Sequence, residues 1–141
     1  MERGILQTSP TELSMYAMHD WRMPSVHIRR LSLRADGFVS INAPYSGGEL
    51  ITKRLKFTGK QLRLNYSTSA FGLVQVEVQD SAGRAFPGFE LDNCQEHYGD
   101  KIDGSISWQS KGDLQSLAGK VIRLKFVMND ADLYAFRFAA E

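Results

Sequence analysis

Apolar and polar residues alternate through most of this chain, and the alternation predicts β-strands rather than helices. The clearest stretch is residues 73–79, where Val74, Val76 and Val78 are separated by polar side chains. A period of two places one set of side chains on a buried face and the other on a wet face. Several such stretches follow one another without crossover helices, which favours antiparallel pairing.

A ten-residue segment, residues 57–66, recurs sixty positions later as residues 117–126 with its apolar and polar sites in step. In both copies a Gly-Lys turn precedes a strand with two aliphatic residues and an aromatic residue on one face, and an Arg on the other. The repeat therefore predicts two strands with equivalent places in a layered β-sheet fold.

The predicted fold class is all-β: an antiparallel β-sandwich of jelly-roll type, because about nine strands with one apolar face each must stack or close. A closed barrel of lipocalin type is the competing architecture. Residues 5–8 and 12–18 predict a short N-terminal β-hairpin arm around Ser9-Pro10. We divide the chain into residues 1–24, the hairpin, and residues 25–141, the sandwich.

The phase of the alternation predicts which side chains fill the sandwich. In residues 26–34 the phase slips at Arg29-Arg30, which predicts a β-bulge there. The predicted inward side chains are Leu31, Leu33, Val39, Ile41, Leu62, Leu64, Tyr66, Val74, Val76, Val78, Ile106, Trp108, Ile122, Leu124, Phe126, Tyr134, Phe136 and Phe138.

Composition narrows the range of partners. Seventeen Lys and Arg against sixteen Asp and Glu give a net charge of +1, far from the basic excess of a nucleic-acid-binding protein. The single cysteine, Cys94, excludes an intrachain disulfide framework. No signal-peptide pattern and no long apolar run occurs, so we expect a cytoplasmic chain that binds neither nucleic acid nor membrane.

No catalytic motif is present in the sequence, and the three histidines are scattered. Four acids in one irregular loop, Asp92, Glu96, Asp100 and Asp103, are the only local concentration of candidate ligands. Calcium favours carboxylate and carbonyl oxygens on such loops, so they form a candidate calcium site, although solvated surface acids give the same pattern. Apart from this calcium ion, we expect no cofactor.

Three aromatic residues stand in segments that read as loops: Trp21, Tyr45 and Tyr98. An exposed ring that stacks on a sugar, flanked by polar groups that bind its hydroxyls, is typical of a carbohydrate site. These three are our candidate carbohydrate-binding residues, and packing of each ring on the sandwich edge is the alternative. Trp108 lies in the apolar phase of its strand and is predicted to be a core residue.

From Leu31 to the end the chain resembles the carboxy-terminal β-sandwich of bacterial glycoside-hydrolase-like proteins of the β-fructosidase and arabinanase type. The resemblance is most specific in residues 36–40 and 130–138. The other matching segments are residues 34–41, 48–53, 62–65, 76–80, 88–89, 108 and 117–120.

In that family a five-bladed β-propeller carries the catalytic acids and the sandwich is an accessory domain. Residues 3–30 are similar to the last hairpin of such a propeller. The resemblance therefore implies no catalytic residue in this chain. It also implies an apolar face that a neighbouring domain would cover, and hence a homo-oligomer, most simply a dimer.

Two functions follow as hypotheses. The first is a non-catalytic, carbohydrate-associated module, either a scaffold or a weak glycan-binding domain for an oligo- or polysaccharide. The second is a small standalone glycoside hydrolase that uses Asp92, Asp100 or Asp103 of the 90–103 loop as acid and base. A purely structural, self-assembling domain is a third alternative.

Overall fold

The computed structural model describes residues 4–109 and 113–140 and contains eight β-strands and two short 3-10 helices. The 3-10 helices span Leu91–Asn93 and Gln115–Leu117. The strands are β1 (Leu6–Ser9), β2 (Glu12–His19), β3 (His27–Arg34), β4 (Ile41–Ala43), β5 (Gly48–Ile51), β6 (Gln61–Gln79), β7 (Asp100–Ser105) and β8 (Arg123–Ala139).

The predicted all-β, antiparallel, sandwich-like fold class is confirmed. Every strand pair is antiparallel, and the strands form a three-stranded and a five-stranded sheet. No helix in the described part of the chain has the length and apolar character needed to cross a membrane.

The chain divides into two compact units, Met1–Phe38 and Val39–Glu141. Unit 1 contains the sheet β1-β2-β3, in which the predicted N-terminal hairpin forms β1 and β2. The segment after residue 24 adds β3 to this same sheet. The bulge predicted at Arg29-Arg30 is wrong, because β2 and β3 pair without a register shift from His19↔His27 to Glu12↔Arg34.

Unit 2 is built on the two longest strands, β6 and β8, which lie side by side. On the other edge of β8 lie β4 and β5, and β7 lies on the other edge of β6. The inward side chains of both halves of β6 belong to one apolar core, so the bent sheet folds over that core. The buried hydrophobic residues are Ala43, Phe57, Leu62, Leu64, Tyr66, Val74, Val76, Val78, Phe89, Cys94, Ile106, Trp108, Leu114, Leu117, Ile122, Leu124, Phe126, Met128, Ala131, Leu133 and Ala139.

Both copies of the sequence repeat form a glycine turn followed by strand pairing, as the pattern predicted. Gly59 and Gly119 both have positive φ, 115° and 79°, as a glycine turn before a strand allows. Lys60 N and Gly119 N donate hydrogen bonds to Ala139 O and Phe57 O. The six predicted inward residues of the two copies, Leu62, Leu64, Tyr66, Ile122, Leu124 and Phe126, are all buried.

Six predicted inward residues lie outside the core. Leu31, Val39, Ile41 and Phe136 are exposed, and Leu33 and Tyr134 are half-buried. Near the end of β8 the buried residue is Leu133 rather than Tyr134, so the predicted inward phase is wrong there. Leu31 and Leu33 belong to unit 1, in which Ser14 and Gly37 are the only buried residues among those described. Because β3 pairs without a bulge, Ile28 lies on the opposite face of the sheet from Leu31 and Leu33. Burial of either face also requires a second layer over it.

Candidate functional site

The most distinctive feature of unit 2 is a break in the pairing of its two central strands, which we call the bend. Residues 61–68 of β6 pair with the end of β8, and residues 73–79 pair with its beginning, with the register broken between Thr68 and Leu73. On β8 the bend falls at Asn129 and Asp130, where Asp130 has a φ of 42°. The bend brings residues 69–72 of one strand next to residues 129–130 of the other.

Phe71 lies on the β6 side of this bend and is the most exposed large apolar side chain among the described residues, with 85% of its surface accessible. Its backbone N donates a hydrogen bond to Ser69 Oγ at 3.2 Å. Sequence reasoning missed Phe71 as a site residue. The available signal was an aromatic beside a glycine, at the point where the alternation of residues 61–68 stops.

The two neighbours of Tyr98, His97 and Gly99, are hydrogen-bonded to β6 on either side of the bend. His97 exchanges backbone hydrogen bonds with Val74, at 2.8 and 3.1 Å. On the other side, Thr68 N donates to Gly99 O, and Gly99 N donates to Thr68 Oγ1, both at 2.9 Å. Tyr98 therefore stands opposite residues 69–73, and 69% of its surface is exposed.

Tyr45 takes the corresponding place next to β8. Its loop connects Ala43, which pairs with Ala131, to Gly48, which pairs with Met128. Pro44 O accepts a hydrogen bond from Asp130 N at 3.0 Å, and Asn129 Nδ2 donates to Tyr45 O at 3.4 Å. The loop thus follows the bend of β8, and Tyr45 is 74% exposed.

These segments lie side by side in the order 44–47, 129–130, 69–72 and 97–99, and together we call them the bend surface. Strands in a sheet are about 4.8 Å apart, so its outer segments are separated by about three spacings, roughly 15 Å. Two of the three predicted carbohydrate-binding residues, Tyr45 and Tyr98, are therefore brought to one surface, together with Phe71.

The bend surface also carries hydrogen-bonding groups. Asn129 and Asp130 lie on β8, between the Tyr45 loop and residues 69–72 of β6. On the β6 side, the Thr68 hydroxyl donates to Ser69 O and the Ser69 hydroxyl accepts from Phe71 N. Asp132 follows on β8, and its Oδ1 accepts hydrogen bonds from Ser40 Oγ at 2.8 Å and from Asn42 Nδ2 at 3.2 Å. The bend surface therefore combines flat apolar faces with hydroxyl, amide and carboxylate groups.

Trp21, the third predicted carbohydrate-binding residue, belongs to unit 1 and lies in the loop between β2 and β3. It is 67% exposed and stands between Asp20 and Arg22, which have positive φ values of 56° and 68°. Such values are uncommon for residues other than glycine, so this loop is locally strained.

The four candidate calcium ligands have different surroundings. Asp92 lies in the first 3-10 helix, Glu96 is exposed before His97, and Asp100 begins β7. Asp103 Oδ1 and Oδ2 each accept a hydrogen bond from Arg137 Nη2 at 2.9 Å. In the part of the chain that the structure describes, no three His, Cys, Asp or Glu side chains form a group that would hold a metal ion. Calcium binding by these four acids stays a prediction.

Two titratable groups near Tyr98 in the sequence, Cys94 and His97, have shifted pKa values. Burial raises the pKa of Cys94 to about 11, so its side chain is a thiol, and Val76 N donates a hydrogen bond to its Sγ at 3.2 Å. Burial and the charge of Lys101 lower the pKa of His97, and His97 Nε2 accepts a hydrogen bond from Ser107 N at 3.4 Å. Both side chains anchor the segment around Tyr98 rather than offer a nucleophile.

Comparison of the chain with models of protein families, with curated proteins and with solved structures finds no match. The resemblance to the accessory sandwich of glycoside-hydrolase-like proteins therefore stays a prediction.

Proposed function

We propose that this protein is a non-catalytic, carbohydrate-associated module that binds an extended glycan across the bend surface. The observation that carries the proposal is the placement of three exposed rings, Tyr45, Phe71 and Tyr98, on neighbouring turns of one bent sheet. A cluster of exposed rings on a fixed backbone is more informative than scattered single ones, because isolated exposed apolar residues are common.

The chemistry of a sugar chain suits this surface. The C–H faces of a pyranose or furanose ring are apolar and stack on aromatic faces, while its hydroxyls need donors and acceptors at the rim. We expect Asn129, Asp130 and Ser69 to supply amide, carboxylate and hydroxyl groups for those hydroxyls, whereas the Thr68 hydroxyl is already bonded to Ser69 O and Gly99 N. A width of roughly 15 Å favours a chain of several sugar units over a monosaccharide.

The test is binding of linear fructans, arabinans and β-glucans, first on a glycan array and then by calorimetry. For the glycan that binds, we expect Phe71→Ala and Tyr98→Ala each to weaken affinity by about tenfold, which corresponds to about 1.4 kcal/mol. Phe38→Ala is the matched control, since Phe38 is exposed but lies outside the bend surface.

Binding by Phe38→Ala should equal that of the unaltered protein. Failure of every glycan to bind would contradict the proposal, as would unchanged affinity in both bend variants. Loss of binding in Trp21→Ala alone would move the site to the loop between β2 and β3.

A second candidate function, self-assembly through unit 1, is favoured by a separate observation. Ser14 is buried and bonded to Thr8 and Arg30, but the apolar residues on the same face of the sheet, Tyr16, Met18 and Ile28, are exposed. A three-stranded sheet needs a covered apolar face for stability. A second copy of this face supplies that cover, because a two-fold contact joins identical patches.

Light scattering at micromolar concentration is expected to give a dimer. Ile28→Asp should give a monomer, because it places a charge in the centre of the contact. Ile51→Asp, which alters an exposed isoleucine of unit 2, should leave the dimer intact. If light scattering shows that the unaltered protein is a monomer, the self-assembly proposal is contradicted.

A further inference from the structure

Two histidines of unit 1 face each other at the open end of the β2-β3 pair. His19 and His27 are direct partners in the register, so their side chains lie on the same face of the sheet. Their ring centroids are 5.7 Å apart and the ring planes differ by 17°. The two histidines are brought together by the pairing of β2 with β3. They are eight positions apart in the sequence, so the sequence alone does not predict their contact.

The tautomer of His27 is fixed by its backbone. Its Nδ1 lies 2.8 Å from Ser25 O, and a carbonyl oxygen only accepts hydrogen bonds, so Nδ1 carries the proton. The lone pair of the neutral ring is then on Nε2. This is the arrangement found in histidines that bind metals, whose second ring nitrogen donates to a carbonyl or carboxylate. The His27 side chain is 46% exposed, so an ion reaches it from solvent.

A negative charge stands beside the pair. Asp20 Oδ2 is 4.0 Å from His27 Nδ1, and Asp20 has a φ of 56°, which turns the chain sharply directly after His19. The carboxylate faces the nitrogen that does not bind metal, so its contribution is charge and orientation rather than ligation.

We propose that His19 and His27 together bind one divalent transition-metal ion, with water completing the coordination shell. Imidazole nitrogen favours Cu²⁺, Ni²⁺ and Zn²⁺ over Ca²⁺ and Mg²⁺, with Cu²⁺ bound most tightly.

Binding of one ion requires the two Nε2 atoms to converge on it, and we expect rotation about the side-chain bonds to bring them together. Two ligand nitrogens at about 2.1 Å from one tetrahedral ion are about 3.4 Å apart. Rings that already lie side by side reach this separation when their Nε2 edges turn toward each other about the side-chain bonds. The ion would tie β2 to β3 next to the strained loop that carries Trp21.

The experiment is a calorimetric titration of the full chain, without a histidine tag, with Cu²⁺, Ni²⁺, Zn²⁺ and Ca²⁺ salts. We expect one ion per chain, affinity in the order Cu²⁺ above Ni²⁺ and Zn²⁺, and no binding of Ca²⁺. His19→Gln and His27→Gln should each weaken Cu²⁺ binding by at least about tenfold, and the double variant should do little more. His97→Gln is the matched control, because it removes the remaining histidine and should leave Cu²⁺ affinity unchanged.

A second readout does not depend on the variants. In nitrogen-15 and proton spectra of the unaltered protein, substoichiometric Cu²⁺ should broaden the ring signals of His19 and His27 and spare those of His97. Equal broadening of all three rings would overturn the proposal. So would full-strength binding by His19→Gln or His27→Gln, or the absence of Cu²⁺ binding.

Discussion

Replacing Gly72 by alanine is expected to destabilise the protein by about 2–3 kcal/mol. A Cβ atom built at this position would lie 2.3 Å from Asp130 O and 2.8 Å from Asn129 O. Both neighbours are backbone atoms of β8, so neither yields by rotating a side chain. The two central strands would have to separate at the bend that holds Phe71.

Urea unfolding followed by circular dichroism measures this effect. Gly48→Ala is the matched control, because a Cβ there meets only Ala43, at ordinary distances of 3.6 Å from its Cβ and 4.0 Å from its Cα. The control should change the free energy of unfolding by less than about 0.5 kcal/mol. Equal stability of the two variants would mean that β6 and β8 do not approach so closely at Gly72.

Truncating Trp108 to alanine is expected to cost about 3–5 kcal/mol of unfolding free energy, the range for large aromatic residues in a core. Trp108 is 3% exposed and packs edge-on against Phe89, with ring centroids 5.3 Å apart. Its Nε1 donates a hydrogen bond to Val76 O at 2.9 Å, so the variant also leaves a core carbonyl without its donor. The loss therefore combines a cavity with a broken buried hydrogen bond.

Trp21→Ala is the natural control for this change, because Trp21 is the only other tryptophan and is largely exposed. We expect it to alter the free energy of unfolding by less than about 0.5 kcal/mol. Guanidinium unfolding followed by far-ultraviolet circular dichroism suits both variants, since tryptophan fluorescence changes with the substitutions themselves. A small loss for Trp108→Ala would contradict its place in the core.

Local alternation was sufficient to predict most of the core of unit 2. Val74, Val76 and Val78 are all buried, as is Trp108, because strand phase alone decides which side chains face inward. The repeat predicted two equivalent strands for the same reason. The rule failed at Leu31, whose sheet in unit 1 has no buried apolar residue among those described, and at Phe136 of β8, which is exposed.

The candidate site was predictable only in part. Tyr45 and Tyr98 were identified as exposed loop aromatics, and the structure places both on the bend surface. Their proximity depends on the pairing of residues 43–48 and 97–99 with two strands far away in the sequence. Phe71 was missed because its exposure comes from the register break between Thr68 and Leu73. The His19–His27 pair likewise needs the register of β2 and β3.

The central claim is that a glycan binds across the bend surface, and a titration monitored by nitrogen-15 and proton correlation spectra tests it most directly. Addition of the oligosaccharide that binds best should shift backbone signals of residues 44–47, 69–72, 97–99 and 129–130. Signals at the far end of the two central strands, such as those of residues 61–63 and 137–139, should stay in place. The claim is contradicted if the shifts cluster elsewhere on the protein, or if no oligosaccharide causes any shift.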